Sequence, residues 1–216
     1  MKFSILGCLT VMAVPYLASS QGSAPQGDAE HHHTVVPLME NGILKARGSN
    51  YQVLSGDPAK AGAPFVIRIH NYDNQIVPPH WHPEDEHIVL VKGRWFIAQG
   101  DVFDRSALRE VKTGDYVFMP KQMRHFGWSN GETVIQVHGI GPFKINLAQP
   151  WKVLSDPKAA DQFKYKENQA VHSSRGQGII RFGVRSDDNK VIQYAVEKAD
   201  GGVYYAFEDE LTGGVQ

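Results

Sequence analysis

The chain has 216 residues, with 22 lysines and arginines set against 23 aspartates and glutamates, a formal charge of −1 at neutral pH. That balance gives no electrostatic footing for nucleic acid or for an anionic membrane surface, so neither is expected as a partner. The single cysteine, Cys8, excludes a disulfide framework and a multi-thiolate metal site.

Residues 1–20 have the order of a secretory signal peptide. Met1-Lys2 is a short positive start, Phe3 to Leu17 is mostly apolar, and Ala18-Ser19-Ser20 supplies the small residues a signal peptidase reads. Cleavage there would remove Cys8 and leave a secreted or periplasmic protein with no membrane segment. Residues 21–34 lack apolar periodicity and read as a disordered lead-in, in which His31-His32-His33 is an incidental tract.

From 35 to 150 short strand-like runs alternate with turn residues. Phe65 to Asn71 follows a loop containing Gly56-Asp57-Pro58. Glu86 to Lys92 is expected to stop at Gly93, and Arg94 to Gln99 runs into Gly100-Asp101. Asp115 to Met119 lies between Gly114 and Pro120, and Glu132 to Ile140 ends at Gly139-Ile140-Gly141-Pro142. Many short strands at this spacing predict an all-β, antiparallel sandwich or barrel. The best helix signal is Asp156 to Phe163, with Asp156 as cap and Pro157 in the first turn. Residues 151–216 then form a β-rich extension with strand-like runs at Gly178 to Arg185, Val191 to Lys198 and Val203 to Phe207. Three free strands would be marginal, so this section is expected to pack on the main sheet or across a homodimer interface.

The chemistry concentrates in His80-Trp81-His82-Pro83-Glu84-Asp85-Glu86 and in His125, which follows Pro120. Side chains on a strand alternate faces with a period of two, so His80 and His82 point the same way and Glu86 follows if the chain stays extended. Pro78-Pro79 holds the approach to His80 extended. His87 should face the opposite side and is left out. Arg68, His70, Gln136 and His138 also fall in spacing-two pairs, with apolar partners between them. They are either the wet face of a sheet or, in a barrel, a polar cavity wall that orients substrate. Phe126 and Trp128 are aromatic core or pocket wall.

These residues resemble the two motifs of the cupin superfamily. His80, His82, Glu86 and Gly93 fit the intervals of the first, with Asn74 in place of its opening glycine. Gly114, Pro120 and His125 fit the second, with Gln122 in place of its middle glycine and Ser129 at its final position. The resemblance covers roughly residues 35 to 150, and within it the chain looks like small exported single-cupin proteins. It implies a double-sheet, jelly-roll-like β-barrel with His80, His82, Glu86 and His125 as ligands to one divalent transition metal. Iron, manganese, copper, nickel and zinc all suit that donor set. Three neutral imidazoles and one carboxylate leave such an ion with net charge +1, which favours a small anionic substrate. The expected activity is that of a metal-dependent oxidoreductase, most simply a dioxygenase, on a small oxygenated molecule, with Glu86 able to serve as a base. A non-catalytic metal or ligand binder and a redox-neutral decarboxylase or isomerase are the alternatives. The fold alone does not choose among these.

Overall fold

The computed structural model describes residues 51–188 and 190–213. The expected signal peptide, lead-in, histidine tract and first part of the barrel, up to residue 50, lie outside the described residues. The described chain is mainly strand, in two antiparallel sheets. Eight strands make the first: β1 (Tyr51–Gly56), β2 (Pro64–Asn71), β3 (Ile76–Trp81), β4 (Glu86–Gln99), β5 (Arg109–Lys112), β6 (Tyr116–Met119), β7 (His125–Ile140) and β8 (Asn146–Leu147). The central strand is β7. One of its edges pairs with β4 along almost its whole length, and the other pairs first with β3 and then with β2.

Alternation decides what lies inside. Phe65 and Ile67 of β2, Ile88, Leu90 and Trp95 of β4, Val111 of β5, Met119 of β6, and Ile135 and Val137 of β7 form one buried cluster. Strands that are not neighbours in the ladder share that core, so the sheet closes on itself as a barrel. Gly93 does not end a strand as expected. It sits at φ +90° within β4, where the register against β7 slips between Leu90 and Lys92 and again across Gly93. A Cβ there would come within 2.3 Å of the Glu132 carbonyl, so the bulge accepts only glycine. A bulge increases local twist and bends the strand, which a closing sheet needs.

The second sheet holds β9 (Trp151–Val153), β10 (Ala170–Ser173), β11 (Gly176–Ser186), β12 (Ile192–Glu197), β13 (Val203–Phe207) and β14 (Thr212–Gly213). All three expected runs are strands, and three further short ones join them. On one face Ile180, Tyr194, Val196, Tyr204 and Ala206 pack beneath Leu154, Phe163, Tyr165 and Leu211. The expected helix over 156–163 is absent. Asp156 makes a turn and caps no helix: its side chain accepts from the Lys158 N–H and its carbonyl from Ala159 and Ala160, and only one 3-10 turn, Ala160–Gln162, follows, with Ala159 at its N-cap. Burying both Ala159 and Phe163 against the sheet outweighs the local helix signal.

On the other face Ala195, Val203 and Tyr205 pack with Phe182 and with Tyr72 of the barrel. Hydrogen bonds join the two sheets at the start of β3. Fully buried Gln193 accepts from the Ile76 backbone N–H (3.0 Å) and donates to the Asn74 carbonyl (2.7 Å). Its amide thereby does the work of a neighbouring strand at that edge of β3. Asn74 donates through its side chain to the Tyr205 carbonyl (2.9 Å) and accepts from Trp128 Nε1 (2.9 Å). Arg175 spans Asp73 and Glu210, each at 3.2 Å.

Candidate metal centre

Three histidines converge from two elements. His80 lies near the end of β3, directly opposite His125 at the start of β7, and their ring centres are 4.2 Å apart. His82, just past β3, brings its ring to 4.8 Å from His80 and 5.3 Å from His125. One ligating atom from each lies within 4.8 Å of the others, and this is the one such group of three among the described residues. The turns that deliver these strands keep the backbone of the glycines they lack. Asn74 has φ 64° and Gln122 has φ 63°, both left-handed. Asparagine tolerates that region, and here its side chain is also tied into the second sheet.

Each ring spends Nδ1 on a backbone carbonyl: His80 on Pro78 (2.7 Å), His82 on Lys144 (3.1 Å) and His125 on Met123 (3.0 Å). A carbonyl oxygen only accepts, so each Nδ1 carries the hydrogen and each Nε2 keeps its lone pair. All three rings are buried. Burial, reinforced by repulsion from His125 and His82 and opposed by the Pro78 contact, pushes His80 down to about 3. Burial and His125 push His82 down to about 4, against its bond to Lys144, and burial lowers His125. Neutral imidazoles with fixed tautomers are the form a divalent transition metal needs, so the donor chemistry fits such an ion.

Glu86 stands beside this group and is not part of it. Its Oε1 is 3.1 Å from His82 Nδ1, but that nitrogen's hydrogen goes to Lys144, and Oε1 has no hydrogen-bond partner. Burial pushes its carboxyl up to about 8. Oε1 is thus a buried carboxyl oxygen without a hydrogen-bond partner beside the histidine rings, a group that a bound cation would satisfy.

The three histidines and Glu86 line a cavity of about 320 Å³ whose other walls are chiefly apolar, among them Ile69, Ile88, Trp95, Ile135, Val137 and Phe143. Arg68, His70, Gln136 and His138 are not among its lining residues, which corrects the cavity alternative for them. They occupy the other face of β2 and β7, because Ile67, Ile69, Ile135 and Val137 take the inner one. There Arg68 donates to Gln136 (3.1 Å), and Gln136 contacts His138 (3.0 Å). His87 is likewise outside, exposed and bonded to the Tyr116 hydroxyl at 2.6 Å. Phe126 and Trp128 do not line the cavity either. A larger cleft of about 770 Å³ between Phe103–Arg105 and Phe207–Glu210 holds no converging ligand set.

The segment Phe143–Leu147 had no assigned role in the sequence reading. Phe143 stacks on His82 at 5.3 Å and 17°, the Lys144 carbonyl orients that same ring, and Leu147 pairs with His80. Its signal was present: Phe143, Ile145 and Leu147 are apolar at spacing two, alternating with Lys144 and Asn146.

The chain matches no protein-family model and no curated protein. Among solved structures it is similar to an RmlC-like cupin protein from Desulfovibrio desulfuricans, at 14% identity and TM-score 0.40, over 50% of this chain and 97% of that one. It is also similar to the polyketide cyclase RemF from Streptomyces resistomycificus, at 18% identity and TM-score 0.40, over 55% and 84%. A third is the DMSP lyase DddQ from Ruegeria pomeroyi, at 18% identity and TM-score 0.36, over 42% and 46%. Likenesses this low carry no argument about activity, and the barrel stands on its own register and core.

Proposed function

We propose that this cupin-fold protein holds one divalent first-row transition ion through His80, His82 and His125, with Glu86 as the fourth donor, and that it is an oxidoreductase, most simply a dioxygenase, acting on a small oxygenated organic molecule. The observation that carries this is the set of three buried rings, each with Nδ1 committed to a carbonyl and a lone pair left free, at one pole of an apolar cavity. A bound ion would supply Lewis acidity and, for iron, manganese or copper, one-electron redox chemistry. The chain's own part is to orient the donors, to exclude water with the apolar wall, and to hold a proton at Glu86. Among the described residues no cysteine, serine or lysine lines the cavity, and this reading calls on none.

One feature favours a second reading. Glu86 sits beside the histidines as a buried acid, a position suited to passing a proton in a redox-neutral decarboxylation or isomerisation. Elemental analysis of untagged protein, followed by assays on enol and phenol panels with and without oxygen, separates the readings. About one metal equivalent per chain with oxygen-dependent turnover supports the first, and turnover without oxygen the second. Metal without any turnover leaves a binding protein. Full occupancy in the double variant His80→Ala/His125→Ala would end the metal assignment.

A further inference from the structure

We infer that the ligand of this site is a compact, mainly apolar monoanion, with its charged oxygens at the histidine pole and a hydrocarbon ring or chain in the sleeve above it, and that Ile145 and Leu147 select it at the mouth. This rests on the metal reading above. The cavity is at the small end of ligand pockets, which excludes nucleotides and oligosaccharides on volume. Among the described residues its polar lining is the three histidines, Glu86, Asn71, Gln75 and the Trp95 indole, whose buried N–H has no partner. Two of those are already engaged elsewhere: Asn71 donates to Thr133 (3.2 Å), and Gln75 accepts from the Tyr72 backbone (2.9 Å). A polyhydroxylated ligand would therefore bury hydroxyls against Ile69, Ile88, Ile135 and Val137 with few partners, which is costly.

The mouth points the same way. Ile145 and Leu147 line the cavity yet remain 54% and 46% exposed, so two large apolar side chains face water at the opening. They belong to the short strap, Phe143–Leu147, that also stacks on His82 and pairs with His80. One stretch of chain thus orients the metal pole and presents the apolar lip, which couples ligand fit to the donors.

The test uses two carboxylates built on the same ring, cyclohexanecarboxylate and the polyhydroxylated quinate. Each is titrated calorimetrically into the zinc-loaded full-length protein, with zinc content measured alongside. Cyclohexanecarboxylate should bind at least about tenfold more tightly than quinate, the scale on which apolar sites discriminate. In Ile145→Ser/Leu147→Ser that preference should fall threefold or more at unchanged zinc content, while Ile145→Met/Leu147→Met, which keeps the lip apolar, should retain it. Equal or tighter binding of quinate, no binding of either carboxylate to zinc-loaded protein, or a serine variant with undiminished preference would overturn the inference and leave the metal site standing. Failure of the protein to take up zinc would instead remove the metal reading and this inference with it.

Discussion

Glu86 makes the metal assignment measurable without knowing the reaction. In the metal-free protein its carboxyl is raised to about 8, while His80 and His82 are depressed to about 3 and 4. At pH 7 the imidazoles are therefore already neutral and the carboxyl is about 90% protonated, since one pH unit below a pKa leaves about a tenth ionised. If Glu86 ligates as a carboxylate, binding one ion must release about 0.9 proton at pH 7 and about 0.1 at pH 9, where the acid has already ionised. Manganese(II) is the suitable probe, because water bound to it does not titrate near neutrality. The measurement is calorimetric titration in two buffers of different ionisation enthalpy, on the wild type and on Glu86→Gln. The glutamine variant should still bind the ion, more weakly, with almost no proton released at either pH. Identical release from both proteins, or release that does not change between pH 7 and 9, would refute Glu86 as a fourth donor held protonated by burial.

The same shifts give the metal-free fold a stability optimum. Because the folded pKa of Glu86 lies above its free value, its contribution falls as pH rises from about 4.5 to about 8. Because those of His80 and His82 lie below 6.5, theirs is lost as pH falls from 6.5 towards 3–4. Thermal melts of metal-free protein should therefore peak near pH 6.5, and Glu86→Gln should abolish the decline on the alkaline side; a decline that persists unchanged would assign it to other groups. Gln193→Leu strips the Ile76 N–H and the Asn74 carbonyl of their partner and should cost about 2–3 kcal/mol, roughly 4–12 °C in melting temperature, with weaker metal binding because β3 carries His80. An unchanged metal affinity would show that the second sheet does not position the donor strand. Native protein should begin near Gln21 and contain no free thiol, which intact mass checks; a species retaining Met1 to Ser20 would rule out export by cleavage.

Much of the barrel and the shared side of His80 and His82 are legible in the sequence, because both depend on short-range rules. A period of two fixes which side chains of β2 and β7 share a face. Spacing puts His80 and His82 on one side, the resemblance to the second cupin motif picks out His125, and the register of β3 against β7 sets it opposite His80. What the sequence cannot carry is whichever property depends on a partner distant in the chain. The continuation of β4 through Gly93 rests on the Glu132 carbonyl that would meet a Cβ there, and the loss of the 156–163 helix rests on the sheet that buries Ala159 and Phe163. Whether Arg68 and Gln136 faced water or ligand depended on which side of the sheet closed into a barrel, a choice that alternation leaves open. Only the tertiary structure shows that Gln193, more than a hundred residues beyond the donor strand, completes that strand's edge. Local sequence sets the direction of a side chain; burial, tautomer and pKa follow from what packs against it, and those contacts form only when distant segments meet.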